Sequence, residues 1–343
     1  MEYEVTIGIP VYNVEKYFRE SLESALAQTF HSIEFLICDD CGTDSSIAIA
    51  QEYKKFHFRG KDIRIIHQTH NKGIGESRNR IIDEANGKYL YFMDADDTIE
   101  PHTIQLLYEN ALRYNADIVY GSYVRIEMFG EMTKYMQRQF EPMQFLNNDE
   151  FASWAYDSYD KLPAMTWNFL IDINIYRKNA LHYQPINYWE DFTMTMDLPT
   201  YITRAVLLPD VTYHYFCRYD SASNFQKREC IDKQEIKKTV GAMASVKKNI
   251  ERLKGKPYFH KRMLKVMKTH FFICQTIIKN RKIITPAFSN REIRDIMRSP
   301  LTLGETLLLK GWRAKNLVLY LLGVMPSCVS VLLIRIIMHH SKQ

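Results

Sequence analysis

The stretch IEFLICDDCGTDSSIAIAQEYKKF, residues 33–56, decides the architecture. Its first part is an apolar run rich in β-branched and aromatic side chains, the length of a buried strand, and its last part carries apolar residues at helical spacing. Between them stand Asp39, Asp40, Gly42, Thr43 and Asp44, a polar turn in which Asp44 sits where a helix N-cap or first-turn charge is favoured. A strand feeding a helix through a short polar loop is half of a βαβ unit. The fold class then depends on whether the pattern repeats on either side.

It repeats in both directions. Upstream, VTIGIPVY (5–12) reads as a strand and VEKYFRESLESALAQT (14–29) as a helix. Downstream come a strand at 63–68, a helix at 74–86 stopped by Gly87, a strand at 88–94, a helix at 101–115 opened by Pro101, and a strand at 116–124. This alternation predicts right-handed crossovers and an α/β fold with a mostly parallel sheet flanked by helices. Residues 125–165 are less regular, with a helix expected near 149–156. Residues 166–181, 189–202 and 205–216 read as further elements of the same domain, and 230–290 as helical and Lys-rich.

With 46% apolar residues and 13% aromatics in 343, the chain can bury a sizeable core and suits one large domain with an appendage. A formal charge of +5, without a basic stripe or zinc-finger spacing, argues against a nucleic-acid partner. Six cysteines are too few for a disulfide framework in a chain this long, which suits a reducing compartment. Cys38 and Cys41 form a lone C-x-x-C without a second pair, and we read their spacing as incidental. The N-terminal MEYEVTIGIPVYN has no signal-peptide pattern, so the catalytic part is expected in the cytoplasm.

In parallel sheets, ligands gather beyond the carboxyl ends of the strands. The successive strands are followed by Tyr12-Asn13, by Asp39 to Asp44, by His70-Asn71-Lys72-Gly73 and by Asp94-Ala95-Asp96-Asp97. Any one of these loops is what a strand end normally looks like. Four polar and acidic loops on one rim form a pattern. The Asp-x-Asp supplies two hard oxygen ligands suited to Mg²⁺ or Mn²⁺, with water and phosphate completing the shell. One of the three carboxylates is expected to cap the helix near Pro101, with Asp97 or Thr98 in position for it. Asp39 or Asp40 can accept the imide N–H of a uracil, Tyr12 can offer an aromatic face, and Lys72 and Arg78 can offer charge to phosphates. Each of these also reads, singly, as a solvated surface group.

The ordered set Ile9-Pro10-Val11-Tyr12-Asn13, Leu36-Ile37-Cys38-Asp39-Asp40 with Gly42-Thr43-Asp44, Asn71-x-Gly73, Arg78-Asn79, Gly87 and Tyr91 through Asp97 resembles the signature of family 2 inverting glycosyltransferases of GT-A fold. The resemblance is strong over residues 3–125. It continues more weakly through Thr166-Trp167-Asn168 and Trp189-Glu190-Asp191 to about 225. It implies a GT-A catalytic domain over 1–228, with a nucleotide-sugar half at 1–124 and an acceptor half at 125–228, and a helical region at 229–343. It implies a nucleotide pocket from Pro10, Tyr12, Asn13, Asp39 and Asp40, with Lys72 and Arg78 near base or phosphates. Asp94, Ala95 and Asp96 match the D-x-D, whose two carboxylates would hold Mn²⁺ or Mg²⁺, and Asp191 matches the catalytic base. Tyr213 through Arg218, followed by Ser221 and Ser223, looks like a stretch of bacterial polysaccharide enzymes in which the Arg faces the diphosphate. The family's D-D-x-S-x-D reads Asp39-Asp40-Cys41-Gly42-Thr43-Asp44 here, without its Ser.

The implied activity is transfer of a sugar from a nucleotide-sugar, a UDP-sugar first, to a glycan or lipid-linked acceptor in cell-surface polysaccharide synthesis. A sugar nucleotidyltransferase would need a glycine-rich phosphate loop after the first strand, where Pro10 to Asn13 stand. A catalytically silent nucleotide-sugar-binding protein is the other alternative. Residues 317–334 are uncharged, bracketed by Lys315 and Arg335, and divided by Gly323 and Pro326 into two pieces too short to span a bilayer. Peripheral contact with the inner face of the cytoplasmic membrane is one expectation for them, and packing on the catalytic domain or in a homodimer is the other.

Overall fold

The computed structural model describes residues 3–129, 132–158, 161–186, 189–218, 229–248, 250–309 and 313–340; Ser221 and Ser223 lie outside them. The chain divides into two compact units, Met1–Phe151 with Ala164–Ala222, and Ala152–Pro163 with Ser223–Gln343. Residues 152–163, expected with the catalytic domain, group with the helical unit.

The first unit opens with β1 (Tyr3–Val11), α1 (Glu15–Leu26), β2 (Ile33–Asp39), α2 (Ser46–Phe56), β3 (Ile63–His67), α3 (Ile74–Glu84) and β4 (Gly87–Phe92). β5 (Thr98–Ile99), α4 (Thr103–Tyr114), β6 (Ile118–Phe129), β7 (Met132–Arg138) and β8 (Met143–Phe145) follow, and α5 (Glu150–Ala155) runs across the division between units. β9 (Phe169–Asp172), α6 (Asn174–Lys178), α7 (Glu190–Asp197) and β10 (Ala205–Cys217) complete the unit.

The strands form one sheet in the order β3-β2-β1-β4-β9-β6-β10-β5, with β7 on β6 and β8 on β10. From β3 to β4 every pairing is parallel, as the alternation requires. β9 enters antiparallel between β4 and β6, while β6 and β10 run parallel to each other. Val5, Ile7 and Ile9 of β1 pack with Phe18 and Leu22 of α1 and Ile104 and Leu107 of α4, all essentially inaccessible to water. Each such side chain contributes about 1.5–3 kcal/mol of burial. The opposite face of β1 needs Gly8, where a Cβ would lie 2.5 Å from Ile81 of α3.

Three expectations are corrected. Gly87 does not stop α3, which is capped at Ala85; it begins β4, where a Cβ would lie 2.4 Å from the Thr6 nitrogen. Residues 125–129 and 132–138 pair antiparallel as the end of β6 and β7 rather than as irregular chain, hidden in sequence because the second strand, MTKYMQR, is largely polar and exposed. Asp97 does not cap a helix. α4 begins at Thr103 without a side-chain cap, and the Asp97 carboxyl is spent elsewhere.

The second unit holds β11 (Ile231–Asp232), α8 (Lys233–Lys248), α9 (Phe259–Lys279), β12 (Ile284–Thr285), α10 (Asn290–Ile296), α11 (Leu303–Leu308), α12 (Arg313–Val324) and α13 (Ser327–His340). Among the described residues no helix is long and apolar enough to cross a membrane. The apolar tail is divided at Met325 and Pro326 into α12 and α13, which pack on α9 and α10.

Candidate active site

Parallel pairing carries the loops after β1, β2, β3 and β4 to one rim. Val11 is in register with Asp39, and Asp39 with His67. Tyr12 is 48% exposed where β1 ends, and Pro10 is buried one turn of the pleat below. Asn13, at φ 50°, accepts a hydrogen bond from the Thr43 nitrogen at 2.7 Å, tying the first loop to the second.

The paired aspartates after β2 serve the loops first. Asp40 is 3% exposed, and its two oxygens accept the backbone N–H groups of Lys72 and Gly73 at 2.8 Å each. Asp39 accepts from the Gly42 nitrogen at 3.3 Å and meets His67 Nδ1 at 2.9 Å. Carboxylate oxygens have two lone pairs each, so both retain accepting capacity for a base. Asp44 accepts from the Ser46 nitrogen and hydroxyl and from the Glu15 nitrogen, serving the starts of both α2 and α1. The Lys72 side chain is exposed at the same rim.

Arg78 is the centre of the arrangement. Its guanidinium, 3% exposed, donates to Asp94 Oδ1 at 3.0 Å and to Glu190 Oε1 at 2.8 Å, and lies over the Tyr183 ring. The loop after β4 and the first turn of α7 are therefore joined through one buried cation. Two nitrogens of Arg78, the residue expected near base or phosphates, donate to carboxylates. Its Nε is buried without a partner.

Arg218, at the end of β10, donates to Asp96 Oδ2 at 3.1 Å and lies against the Tyr17 and Phe216 rings, 3.9 Å from the first centroid. Asp96 is pushed up to about 6 by burial and by Asp94, with Arg218 opposing. Asp97, 1% exposed, accepts the Tyr213 hydroxyl at 2.8 Å and the Phe216 nitrogen at 2.8 Å. Burial and its two acidic neighbours hold its carboxyl far above the ordinary range. The Tyr213 oxygen also accepts the Asp94 nitrogen at 3.1 Å, so one tyrosine fixes the D-x-D loop at two points. Ala95 is 4% exposed and packs in the core.

Asp191 sits in the first turn of α7, its Oδ1 accepting the Phe192 nitrogen at 2.7 Å. The turn is entered through Trp189 at φ 64°, a left-handed conformation costly for a bulky residue. Burial first and Glu190 second push the Asp191 carboxyl up to about 8, against the pull of Arg78. A carboxyl that binds a proton near neutral pH is suited to general-base work.

Comparison with known proteins decides the family. The glycosyl transferase family 2 profile matches residues 6–177. The chain belongs to this family. Among curated members, an uncharacterised glycosyltransferase of Bacillus subtilis, EpsJ, is 30% identical over 213 residues, covering 62% of this chain and 60% of EpsJ. The Escherichia coli UDP-Glc:alpha-D-GlcNAc-diphosphoundecaprenol beta-1,3-glucosyltransferase WfgD is 28% identical over 138 residues, 40% of this chain and 53% of WfgD. The chain thus spans less than two thirds of these relatives' lengths. Two solved structures share the GT-A fold. Staphylococcus aureus TarS 1-349 in complex with UDP-GlcNAc has a TM-score of 0.57 at 17% identity, covering 93% of this chain and 90% of that one. The mannosyltransferase PcManGT from Pyrobaculum calidifontis, in complex with GDP-Man and Mn²⁺, has a TM-score of 0.52 at 14% identity, covering 97% and 88%. The relatives this chain matches bear glycosyltransferase names, among them an undecaprenol-linked glucosyltransferase.

Asp94 and Asp96 fit a divalent cation. They are two hard donors one residue apart, and the fold resists ionising Asp96 beside Asp94 even with Arg218 in contact. Among the described residues no group of three or more His, Cys, Asp or Glu is arranged to hold a metal alone. A two-carboxylate site completed by water and diphosphate has that composition. Residues that sequence pattern missed are Tyr17 and Tyr183, together with the hold of Tyr213 on Asp94 and Asp97. Each matters through a partner distant in the chain, and no local signal marks them.

Proposed function

We propose that this glycosyltransferase moves a sugar from a nucleotide-sugar, a UDP-sugar, to a saccharide or lipid-linked saccharide acceptor with inversion at the anomeric carbon. Residues 1–124 serve the donor, through Pro10, Tyr12, Asn13, Asp39, Asp40, Lys72 and the Asp94-Ala95-Asp96 turn, and residues 125–228 serve the acceptor. The observation that carries the reading is the Arg78 bridge, which joins a carboxylate of the D-x-D to the acidic pair at the start of α7.

Asp191 takes the proton of the acceptor hydroxyl as its oxygen bonds to the anomeric carbon. The bond from that carbon to the diphosphate breaks on the opposite face. Arg78 holds Glu190 and Asp94 in place around the reacting centre, and Arg218 stabilises charge on the departing diphosphate. Asp94 and Asp96 would hold Mn²⁺ or Mg²⁺, which supplies neutralisation of that diphosphate when bound. The donor reading is supported by neighbours of the same fold in complex with UDP-GlcNAc and with GDP-Man and Mn²⁺, and the acceptor reading by the name of WfgD.

A donor panel tests it. Thermal shift with UDP-, GDP- and CDP-sugars, with and without Mn²⁺, should single out UDP-sugars in the presence of metal, because a ligand that binds only the folded chain raises its stability with occupancy. NMR of the product should then give the inverted anomer. A retained anomer, or no sugar transfer from any donor that binds, refutes the proposal.

A further inference from the structure

The modest overall charge conceals two opposite halves. Residues 1–228 carry 22 Lys and Arg against 33 Asp and Glu, a formal −11, whereas residues 229–343 carry 23 against 7, a formal +16. Seven acids against twenty-three cations leave the segment a large positive surplus. From residue 306 to residue 343 there is no acidic residue at all.

Exposed aliphatic side chains concentrate in the same unit. Val318, Val324, Val329, Leu332 and Ile336 on α12 and α13 are 40–56% exposed, and Leu308 beside them in sequence is 78% exposed. On α13 the spacing of Val329, Leu332 and Ile336 puts them on one face, while Ser330, Val331 and Ile334 are buried on the other. The pair of helices is firmly held. The Ser330 hydroxyl donates to the Leu322 carbonyl at 2.7 Å, and Gly323 admits the Met297 carbonyl so closely that a Cβ would lie 2.6 Å from it. That contact sets the exposed Arg298 beside the apolar pair, and Lys315 and Arg335 lie within α12 and α13 themselves.

We propose that the helical unit docks on an anionic phospholipid surface, with the outer faces of α12 and α13 lying in the headgroup layer. Helices of 12 and 14 residues are about 18 and 21 Å long, against a hydrocarbon core of about 30 Å, so they lie on the bilayer rather than cross it. Charge decides among occupants. A second copy meeting it through the same unit would bring +16 against +16, and a nucleic acid would leave the aliphatic face uncovered, whereas anionic lipid satisfies both the cations and the apolar side chains. The docking deepens the acceptor reading by favouring a lipid-linked saccharide. That consequence rests on the proposed sugar transfer, while the docking itself does not.

The full chain is mixed, without donor or acceptor, with vesicles of phosphatidylcholine alone or with about a third phosphatidylglycerol, and floated on a density gradient. Binding at least ~10-fold tighter to the anionic vesicles is expected, weakening as salt rises from 0.1 to 0.5 M. The double variant Val329→Glu with Leu332→Glu should lose at least ~10-fold of that binding while keeping the parent's melting temperature and donor-induced shift. If it fails to fold, Ile336→Ser, which leaves the charge unchanged while removing apolar contact, should weaken binding and make it more salt-sensitive. Equal binding to both vesicle types, or unchanged binding in folded variants, overturns the proposal. So does light scattering showing a dimer that these substitutions dissociate, or tighter binding to a duplex oligonucleotide than to anionic vesicles. A chain that floats with vesicles but transfers no sugar refutes the catalytic reading alone.

Discussion

Replacing Asp191 with Asn should stabilise the free protein while disabling it, with a pH dependence that identifies the cause. Burial and Glu190 raise the Asp191 carboxyl to about 8 in the folded chain, against about 3.9 for an unperturbed aspartate. The folded state therefore holds a proton that the unfolded state has released, and stability falls as pH rises through that window. Below about pH 4 the carboxyl is protonated in both states, and Asp and Asn should be equivalent. By pH 8 the Asn variant avoids nearly the whole ionisation cost. One pKa unit corresponds to ~1.4 kcal/mol. Because Asp191 keeps some solvent contact and lies near Arg78, only about a third of the nominal shift is expected to survive, about 2 kcal/mol. For a unit of roughly 200 residues that is about 4–8 °C in melting temperature. Thermal unfolding of both proteins between pH 4.5 and 8.5, paired with transfer assays, reads both effects. The difference should widen with pH, and transfer should fall by ~10²-fold or more. A difference constant across the range would show that shape rather than ionisation is responsible. Turnover within a few-fold of the parent would move the base to another carboxylate.

Asp96→Ala should abolish the Mn²⁺-dependent part of UDP binding by thermal shift without lowering the melting temperature of the free chain, since it removes a carboxyl that burial and Asp94 already strain. Arg78→Met should cost about 3–5 kcal/mol in denaturant unfolding, because it leaves Asp94 and Glu190 without their shared cation; a loss below ~1 kcal/mol would mean the bridge is not formed. Tyr213→Phe should cost about 1–3 kcal/mol and weaken donor binding, since it deprives the buried Asp97 carboxyl of a donor and frees the Asp94 nitrogen. Unchanged donor affinity at reduced stability would limit Tyr213 to a structural role.

The alternation of β1 through α4 was readable from sequence because side-chain periodicity is a local property, set by neighbours three, four or two residues away. So was the convergence of polar loops, since parallel strands must end on one rim, and so was the division of the tail at Pro326, whose ring cannot continue a helix. Tertiary structure alone decided what depends on partners far along the chain. It set β9 antiparallel between β4 and β6, and it required Gly87 for strand packing rather than as a helix stop. It also turned Asp97 from an expected cap into the anchor of β10. Arg78 shows the difference most clearly. Its sequence context marks a positive charge near the rim, but not that the charge would be buried between residues 94 and 190. A charge reads the same in sequence whether it faces water or two carboxylates. Its energy depends on what solvates it, and only the folded chain supplies that.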